Sequence, residues 1–244
     1  MNKSFIYAKN TPDDILAFTS TKYGGYSKGR YSSLNTGLFT NDDKKSVLKN
    51  IEYLKSFHNI DKLCFLNQVH GTQVHHVNHS NFADVYLSDG DGLFTGERGI
   101  ALGVFTADCY PVLLSGNTHL AALHCGWRSL NAEIIENAVE LFIKNHDYPY
   151  YAYVGPGICN KCYEVTPEIF NKLNPKYNPH DAIVKNNNGK YTLNLRNMVE
   201  TALKINKISR YVFAEESSCC SELFFSYRKY NGDTGRMLSV IVRR

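Results

Sequence analysis

The sequence predicts an α+β fold in which mixed β-sheets and helices are arranged in layers. Two observations lead to this prediction: apolar runs typical of buried strands recur along the chain, and they do not alternate regularly with the amphipathic helical segments. A doubly wound parallel sheet would require that alternation. No repeat or low-complexity linker divides the 244 residues, a length compatible with one large domain. We therefore expect residues 1–244 to form a single domain.

The first half of the chain supplies a long loop, one helix and most of the expected strands. The loop covers 19–37, which is rich in Gly, Ser and Tyr. Asp42 or Asp43 is expected to cap a helix that extends through Leu54, with apolar residues at helical spacing. Strands are expected at 63–66, 73–77, 100–105, 111–114 and 119–123, with a turn cluster at 88–92 and a hairpin turn at 115–117.

The second half begins with the clearest helical periodicity, at 131–143. Asn194 is expected to cap a later helix that extends through Ile205. The remaining elements are strands at 152–154, 211–214, 224–227 and 237–242, a short helix at 167–173, and a surface turn at 186–189.

Composition excludes several classes of protein. The net charge is +4 and no dense Lys/Arg stripe is present, which argues against nucleic-acid binding. Every apolar run is far shorter than the ~20 residues of a membrane helix. Seven cysteines, an odd number, form no secreted disulfide framework, and residues 1–14 contain no signal-peptide apolar region. We therefore expect a cytoplasmic protein with no membrane partner.

Three segments each place a potential metal ligand at or near the end of an apolar run: His70, Cys109 and His124. Two imidazoles and one thiolate suit zinc, and three protein ligands leave an open coordination position, typical of catalytic rather than structural zinc. Buried cysteines and single core histidines are common, however, and the long spacings favour neither interpretation. The pattern predicts an enzyme.

Two further motifs carry open alternatives. Arg128 follows a strand and precedes the clearest helix, an arrangement suited to binding phosphate, although a surface arginine on a tight turn fits equally. Cys159 and Cys162 have the C-x-x-C spacing of a zinc knuckle or redox pair. A knuckle needs a second pair, and Cys219-Cys220 lacks the spacing, so ordinary thiols are expected.

The chain resembles the laccase-domain family, whose members have been described as multicopper polyphenol oxidases and as purine nucleoside phosphorylases. The resemblance spans almost the whole chain, with its motifs in the family's order. Lys22 replaces an arginine of the family pattern, and Asn41-Asp42-Asp43 replaces Gly-Asp-Asp. The matching motifs are Gly24-Gly25-Tyr26-Ser27, Ser33-Leu34-Asn35-Thr36-Gly37, Gln68-Val69-His70-Gly71, Asp91-Gly92-Leu93-Phe94-Thr95, Thr106-Ala107-Asp108-Cys109-Tyr110-Pro111, His124-Cys125-Gly126-Trp127-Arg128, Gly155-Pro156-Gly157-Ile158, Cys162-Tyr163-Glu164-Val165, Phe225-Ser226-Tyr227-Arg228 and Thr234-Gly235-Arg236-Met237.

This resemblance implies a single-domain α/β/β/α sandwich that binds zinc, or copper, and cleaves purine nucleosides with phosphate. Adenosine, inosine, guanosine and methylthioadenosine are the implied nucleosides, with adenosine deamination as a possible second activity. The protein would be a monomer or homodimer. The implied catalytic and metal residues are His70, Cys109 and His124, and the implied contacts to substrate or phosphate are Arg128, Lys22, Asn35, Gln68 and Arg228.

Three alternatives remain open from the sequence. Cys109 and His124 could form the dyad of a metal-free hydrolase. A copper oxidase acting on phenols needs many histidines in close motifs, whereas the nine histidines here are scattered. A nucleoside- or protein-binding module without turnover is the third. The H-x-E and P-C-x-x-C signature of zinc deaminases is absent, so a deaminase would need a different arrangement.

Overall fold

The computed structural model describes residues 3–177, 182–185 and 189–244. Two mixed β-sheets form its centre, with strand orders β1-β2-β14-β6-β3 and β13-β9-β7-β8-β5-β4, and a small third sheet has the order β10-β12-β11. The strands are β1 (Phe5–Tyr7), β2 (Ile15–Ser20), β3 (Lys62–Cys64), β4 (Val74–His76), β5 (Gly92–Thr95), β6 (Ile100–Thr106), β7 (Tyr110–Ser115), β8 (Leu120–Cys125), β9 (Tyr151–Val154), β10 (Glu164–Val165), β11 (Ile183–Lys185), β12 (Tyr191–Leu193), β13 (Arg210–Phe213) and β14 (Met237–Arg243).

The two large sheets pack face to face. Alternate residues of β6 and β14, such as Leu102 and Ile241, meet Leu113, Ala122 and Tyr153 of the second sheet in one buried cluster. Because successive side chains of a strand point to opposite faces, the remaining residues of each strand point away from the other sheet, where a helical layer can pack on them.

Helices cover both outer faces. They are α1 (Lys44–His58), α2 (Phe82–Val85), α3 (Trp127–Asn131), α4 (Ile134–Lys144) and α5 (Leu195–Ile205), with short 3₁₀ helices at Gly29–Tyr31, Pro167–Lys172 and Pro175–Tyr177. Helix α1 packs against the first sheet, and α3, α4 and α5 pack against the second. The predicted α/β/β/α sandwich is confirmed.

Side-chain caps begin two of the predicted helices. Asp43 accepts a hydrogen bond from the backbone N–H of Ser46, and Asn194 accepts one from that of Asn197. Each cap satisfies a backbone donor that has no partner within the helix, a contribution of about 1 kcal/mol. The caps identified from the sequence are therefore confirmed.

The expected helix at 131–143 is wrong at its start. Helix α3 ends at Asn131, Glu133 adopts a left-handed conformation with φ of 73°, and α4 begins at Ile134. The apolar pattern does not reveal this break, because Leu130 and Ile134, on either side of it, are buried in the same core cluster.

The expected strand at 224–227 is also wrong. Phe224 and Phe225 are buried with Met237, as an apolar strand would be, but the segment is irregular. Ser226 Oγ donates to the Asp108 carboxylate instead of a neighbouring strand, and so does the backbone N–H of Arg228, which follows the segment.

Other expectations agree in part. Strands β1, β2 and β5 and the three strands of the small sheet, β10 to β12, were not expected. Strand β2 includes the start of the segment 19–37, which was assigned to a loop. The segment 167–173 is 3₁₀ rather than α-helical. Most of the expected turn at 186–189 lies outside the described residues.

Among the helices of the described segments, none is long and apolar enough to cross a membrane.

Candidate active site

Three elements bring the predicted metal ligands together. His70 lies in the connection between β3 and β4 with φ of 59°, Cys109 directly precedes β7, and His124 lies within β8. The antiparallel pairing of β7 with β8 places Pro111 opposite His124 and Tyr110 opposite Cys125. One ligand atom from each of the three residues lies within 4.8 Å of the others, the spacing of a metal-binding group.

A buried carboxylate orients both histidines. Asp91 Oδ1 accepts a hydrogen bond of 2.7 Å from His124 Nδ1, which leaves Nε2 as the ligand atom. The same carboxylate accepts the backbone N–H groups of Val69, His70 and Gly71, at 2.6–3.1 Å. Burial raises the pKa of Asp91, but the hydrogen bond and charge interaction with His124 lower it by more than burial raises it. The net pKa is below the ordinary value, so the carboxylate is ionised.

Cys109 has the electrostatic environment of a thiolate. Burial raises its pKa, but the imidazoles of His124 and His70 outweigh that effect and lower it from 9.0 to about 6. Burial lowers the pKa of His124, whereas Cys109 and Asp91 raise it above its ordinary value. Without metal the two groups therefore form a thiolate–imidazolium pair, and the thiolate is the form that binds a metal.

The donor set fits zinc or another borderline-soft divalent cation. A mixed His/Cys/His group with one free position is typical of catalytic sites. Glycine at 126 avoids a tight contact with this group, because a Cβ there would lie 3.1 Å from Cys109 Sγ and 3.3 Å from His70 Cδ2. A side chain at 126 would therefore displace Cys109 and His70 by a few tenths of an ångström.

The three ligands line a cavity of about 520 Å³. Three arginines also line it: Arg128, Arg228 and Arg236. Over the described part of the chain, none of them forms a salt bridge with a carboxylate, although other arginines do. Arg236 is the most enclosed, and burial lowers the pKa of its guanidinium. A cavity with three cations and no paired acid favours an anionic ligand.

Each arginine is held in place by a neighbouring group. The guanidinium of Arg128 lies 4.8 Å from the Trp127 ring centre, and that of Arg228 lies 5.3 Å from the Tyr163 ring centre. Arg236 donates to the carbonyls of Thr234 and Gly235. Helix α3, which starts at Trp127, has only five residues, so its dipole adds little, and the side chain of Arg128 is the stronger anion-binding feature.

The other predicted contact residues lie in different settings. Gln68 lines the cavity, but both its amide atoms bond to the backbone of Phe105 at 2.7 Å. Asn35 is buried and accepts the N–H groups of Gly37 and Arg236, so it braces the cavity wall. Lys22 pairs with Glu222 at 3.2 Å and is not among the lining residues. Direct substrate contacts from these three stay predictions.

Asp108 has a role that sequence reasoning left open. Its carboxylate accepts Ser218 Oγ and Ser226 Oγ at 2.6 and 2.8 Å and the backbone N–H of Arg228 at 2.6 Å. It therefore joins the metal-ligand segment to the loop that carries Arg228. Sequence reasoning did not identify Asp91, which lies in a matching motif, because no local signal indicates that it contacts His124.

The chain is similar to known proteins over nearly its whole length. A family model for the multi-copper polyphenol oxidoreductase laccase matches residues 16–244. The chain is 33% identical to purine nucleoside phosphorylase YlmD of Geobacillus stearothermophilus, over 94% of this chain and 90% of that protein. It is 30% identical to purine nucleoside phosphorylase YfiH of Escherichia coli, over 99% of each.

Solved structures are also similar. The crystal structure of YlmD from Geobacillus stearothermophilus matches with a TM-score of 0.91 at 29% identity, over 100% of this chain and 97% of that one. A Bacillus licheniformis protein described as hypothetical YfiH matches with a TM-score of 0.89 at 26% identity, over 98% and 99%. These similarities extend over the whole layered fold rather than one motif.

Proposed function

The chain belongs to the multi-copper polyphenol oxidoreductase laccase family, and we propose that it is a metal-dependent purine nucleoside phosphorylase. The observation that carries this proposal is one cavity that joins the His70/Cys109/His124 group to three arginines without acid partners. Similarity to enzymes named purine nucleoside phosphorylase supports it. The expected cytoplasmic location and monomeric or dimeric state stay predictions.

Phosphorolysis needs a bound phosphate near the sugar. A phosphate oxygen forms a bond to C1′ of the ribose as the bond from C1′ to the purine nitrogen breaks, which yields ribose 1-phosphate and a free base. Arg128, with Arg228 or Arg236, supplies charged hydrogen bonds that hold the phosphate and keep it oriented toward C1′.

The purine also needs a surface in the same cavity. Trp127, Tyr163 and Tyr227 line it, as does Phe39, whose ring is 64% exposed. Aromatic rings stack on purines with about 1–3 kcal/mol per base. Because stacking depends little on exocyclic groups, this surface suits adenosine, inosine, guanosine and methylthioadenosine alike.

Electron density must leave with the departing purine. When bound by His70, Cys109 and His124, zinc supplies a Lewis acid, and copper is the alternative metal. Asp91 keeps His124 in the tautomer that presents Nε2, and its bonds to 69–71 fix His70. These residues hold the ligands before substrate arrives, so little reorganisation is needed during reaction.

Product chromatography tests the proposal. Inosine and purified protein should yield hypoxanthine and ribose 1-phosphate only when phosphate is present. Release of free ribose at equal rates with and without phosphate would contradict phosphorolysis. Adenosine in a parallel reaction tests the proposed second activity, because deamination yields inosine and ammonia instead of adenine.

A Cys–His hydrolase is the second candidate, because the lowered pKa of Cys109 beside His124 is also that of a nucleophilic thiolate. In that case chelation of metal should leave turnover intact. Phenol oxidation, suggested by the family description, should consume oxygen with a phenolic substrate and would depend on copper.

A further inference from the structure

Three cysteines outside the cavity converge from two separate loops, each of which carries a cysteine pair. Cys159 and Cys162 lie between β9 and β10, and Cys219 and Cys220 lie between β13 and β14. Cys220 Sγ is 3.4 Å from Cys159 Sγ and 3.5 Å from Cys162 Sγ. Cys219 is not part of this group of sulfurs and packs against the apolar core cluster of the second sheet. The two cysteine pairs are far apart in the sequence, so their spacing does not predict this contact.

The sulfur separations suit a shared metal better than a disulfide. Zinc–sulfur bonds of about 2.3 Å in a tetrahedral site place the sulfurs about 3.8 Å apart, whereas a disulfide requires about 2.05 Å. The sulfurs of Cys159, Cys162 and Cys220 all lie within 4.8 Å of one another, so one ion can reach all three. Soft thiolates select zinc over magnesium or calcium.

The loop geometry also fits metal binding. The backbone N–H of Cys162 donates to the carbonyl of Cys159, which closes the tight turn of the C-x-x-C segment. The backbone N–H of Cys220 donates to Ser217 Oγ, which closes the second turn. The Cys159/Cys162 pair and Cys220 are therefore each held by a compact turn, and the two turns bring their three sulfurs together.

We propose that the thiolates of Cys159, Cys162 and Cys220 bind a structural zinc ion. This site is separate from the His70/Cys109/His124 group and does not depend on the proposed phosphorylase activity. A donor set made only of thiolates is typical of structural rather than catalytic zinc.

The bound ion would connect two loops that both reach the cavity. Ile158 and Tyr163 flank the first cysteine pair, and Tyr227 and Arg228 follow the second, and all four line the cavity. Within the described residues the loops are otherwise joined by few polar contacts, such as the bond from the Ser218 N–H to the Gly157 carbonyl. The site thus braces the wall that carries Arg228.

Cobalt substitution tests this site directly. Metal-free, reduced protein is titrated with Co²⁺ and its visible and near-ultraviolet absorption is recorded. A centre with three or four thiolates gives strong thiolate-to-cobalt charge transfer, whereas a centre with one thiolate and two imidazoles gives a much weaker band. We expect the strong band in wild-type protein and also in a Cys109→Ser/His124→Ala variant.

Variants assign the band to its ligands. Cys220→Ser changes an exposed side chain and should fold, yet it should lose most of the charge-transfer intensity. Cys159→Ser/Cys162→Ser should lose it all and bind about one metal ion per chain fewer than wild type. Asn160→Ser, in the same turn but without a thiol, is the matched control and should keep both.

Two outcomes would overturn the proposal. One is reduced wild-type protein that shows no strong band and the same metal content as Cys159→Ser/Cys162→Ser. The other is peptide mapping that finds a Cys159–Cys220 or Cys162–Cys220 disulfide while the reduced protein takes up no Co²⁺ there. Neither result bears on phosphorolysis, which is measured separately by product formation.

Discussion

The carboxylate of Asp91 holds the imidazole of His124 at 2.7 Å, and both side chains are almost fully buried. The same carboxylate accepts the backbone N–H of His70, so one acid positions two of the three metal ligands. A buried charge of this kind is stable only when its partners are in place. The metal-ligand group should therefore depend on a residue that does not itself contact the metal.

Asp91→Asn should weaken zinc binding about 10–100-fold, because the amide keeps the volume but loses the charge that fixes His124. Competition with a chromogenic chelator measures the affinity. Asp89→Asn, in the same turn and bonded to Asn67 instead, is the control and should bind zinc as wild type does. Equal zinc affinity in the two variants would remove Asp91 from the site.

Cys109 should resist alkylation while metal is bound and react quickly once it is removed. In the metal-free protein its reactivity should rise with pH around a midpoint near 6, since the neighbouring imidazoles lower its pKa to about 6. Mass spectrometry after iodoacetamide treatment measures both. Cys64 is the internal control, because burial raises its pKa to about 12 and it should stay unmodified.

Rapid modification of Cys109 with zinc still bound would support the hydrolase instead. The same samples give the metal content by elemental analysis, and Cys109→Ala and His124→Ala should each lose about one zinc per chain. Full zinc in both variants would exclude these residues as ligands.

Arg128→Ala should raise the KM for phosphate about 10–100-fold, since a charged hydrogen bond contributes about 1.5–3 kcal/mol. The KM for inosine should change much less. Steady-state kinetics with phosphate varied at saturating inosine measures the effect. Arg98→Ala, which removes an exposed arginine paired with Asp14 outside the cavity, is the control and should leave both constants unchanged.

Gly126→Ala should lower zinc affinity although it adds only a methyl group. That group would lie 3.1 Å from Cys109 Sγ and 3.3 Å from His70 Cδ2, so two ligands must move. The matched control is Gly71→Ala in the same site, where the nearest atoms are 3.6 Å away. If the two alanine variants bound zinc with the same affinity, the close approach at Gly126 would not matter.

Asp147 should stabilise the fold at neutral pH and lose this effect in acid. Burial raises its pKa, but the N–H groups of Thr118, His119, Tyr148 and Asn117 outweigh it and lower the pKa from 3.8 to about 2. The stabilisation of about 2 kcal/mol is therefore complete above pH ~4 and is lost as pH falls toward 2. Urea unfolding across that range measures it.

Asp147→Asn should lose most of that stabilisation at pH 7 and show a flatter dependence between pH 2 and 4. Asp13→Asn, at an exposed position, should stay within about 0.5 kcal/mol of wild type. If Asp147→Asn were as stable as wild type at pH 7, the backbone hydrogen bonds to Asp147 would contribute little.

Local chemistry in the sequence determined much of this protein. Apolar periodicity and the caps Asp43 and Asn194 predicted two helices, because those signals act within a few residues. The strands β6 to β9 were predicted from their apolar runs, and the layered fold from the irregular order of elements. The ends of apolar runs, together with the motif resemblance, selected His70, Cys109 and His124, which the fold then brings within 4.8 Å.

Only the tertiary structure decided how distant residues meet. Asp91 and His124 are 33 positions apart and come together because β5 pairs with β8. The Cys162–Cys220 contact joins residues 58 positions apart across two irregular loops, and the 224–227 segment bonds to Asp108 instead of a strand. Spacing along the chain carries no information about such contacts, because they depend on strand pairing and packing that many separate residues determine together.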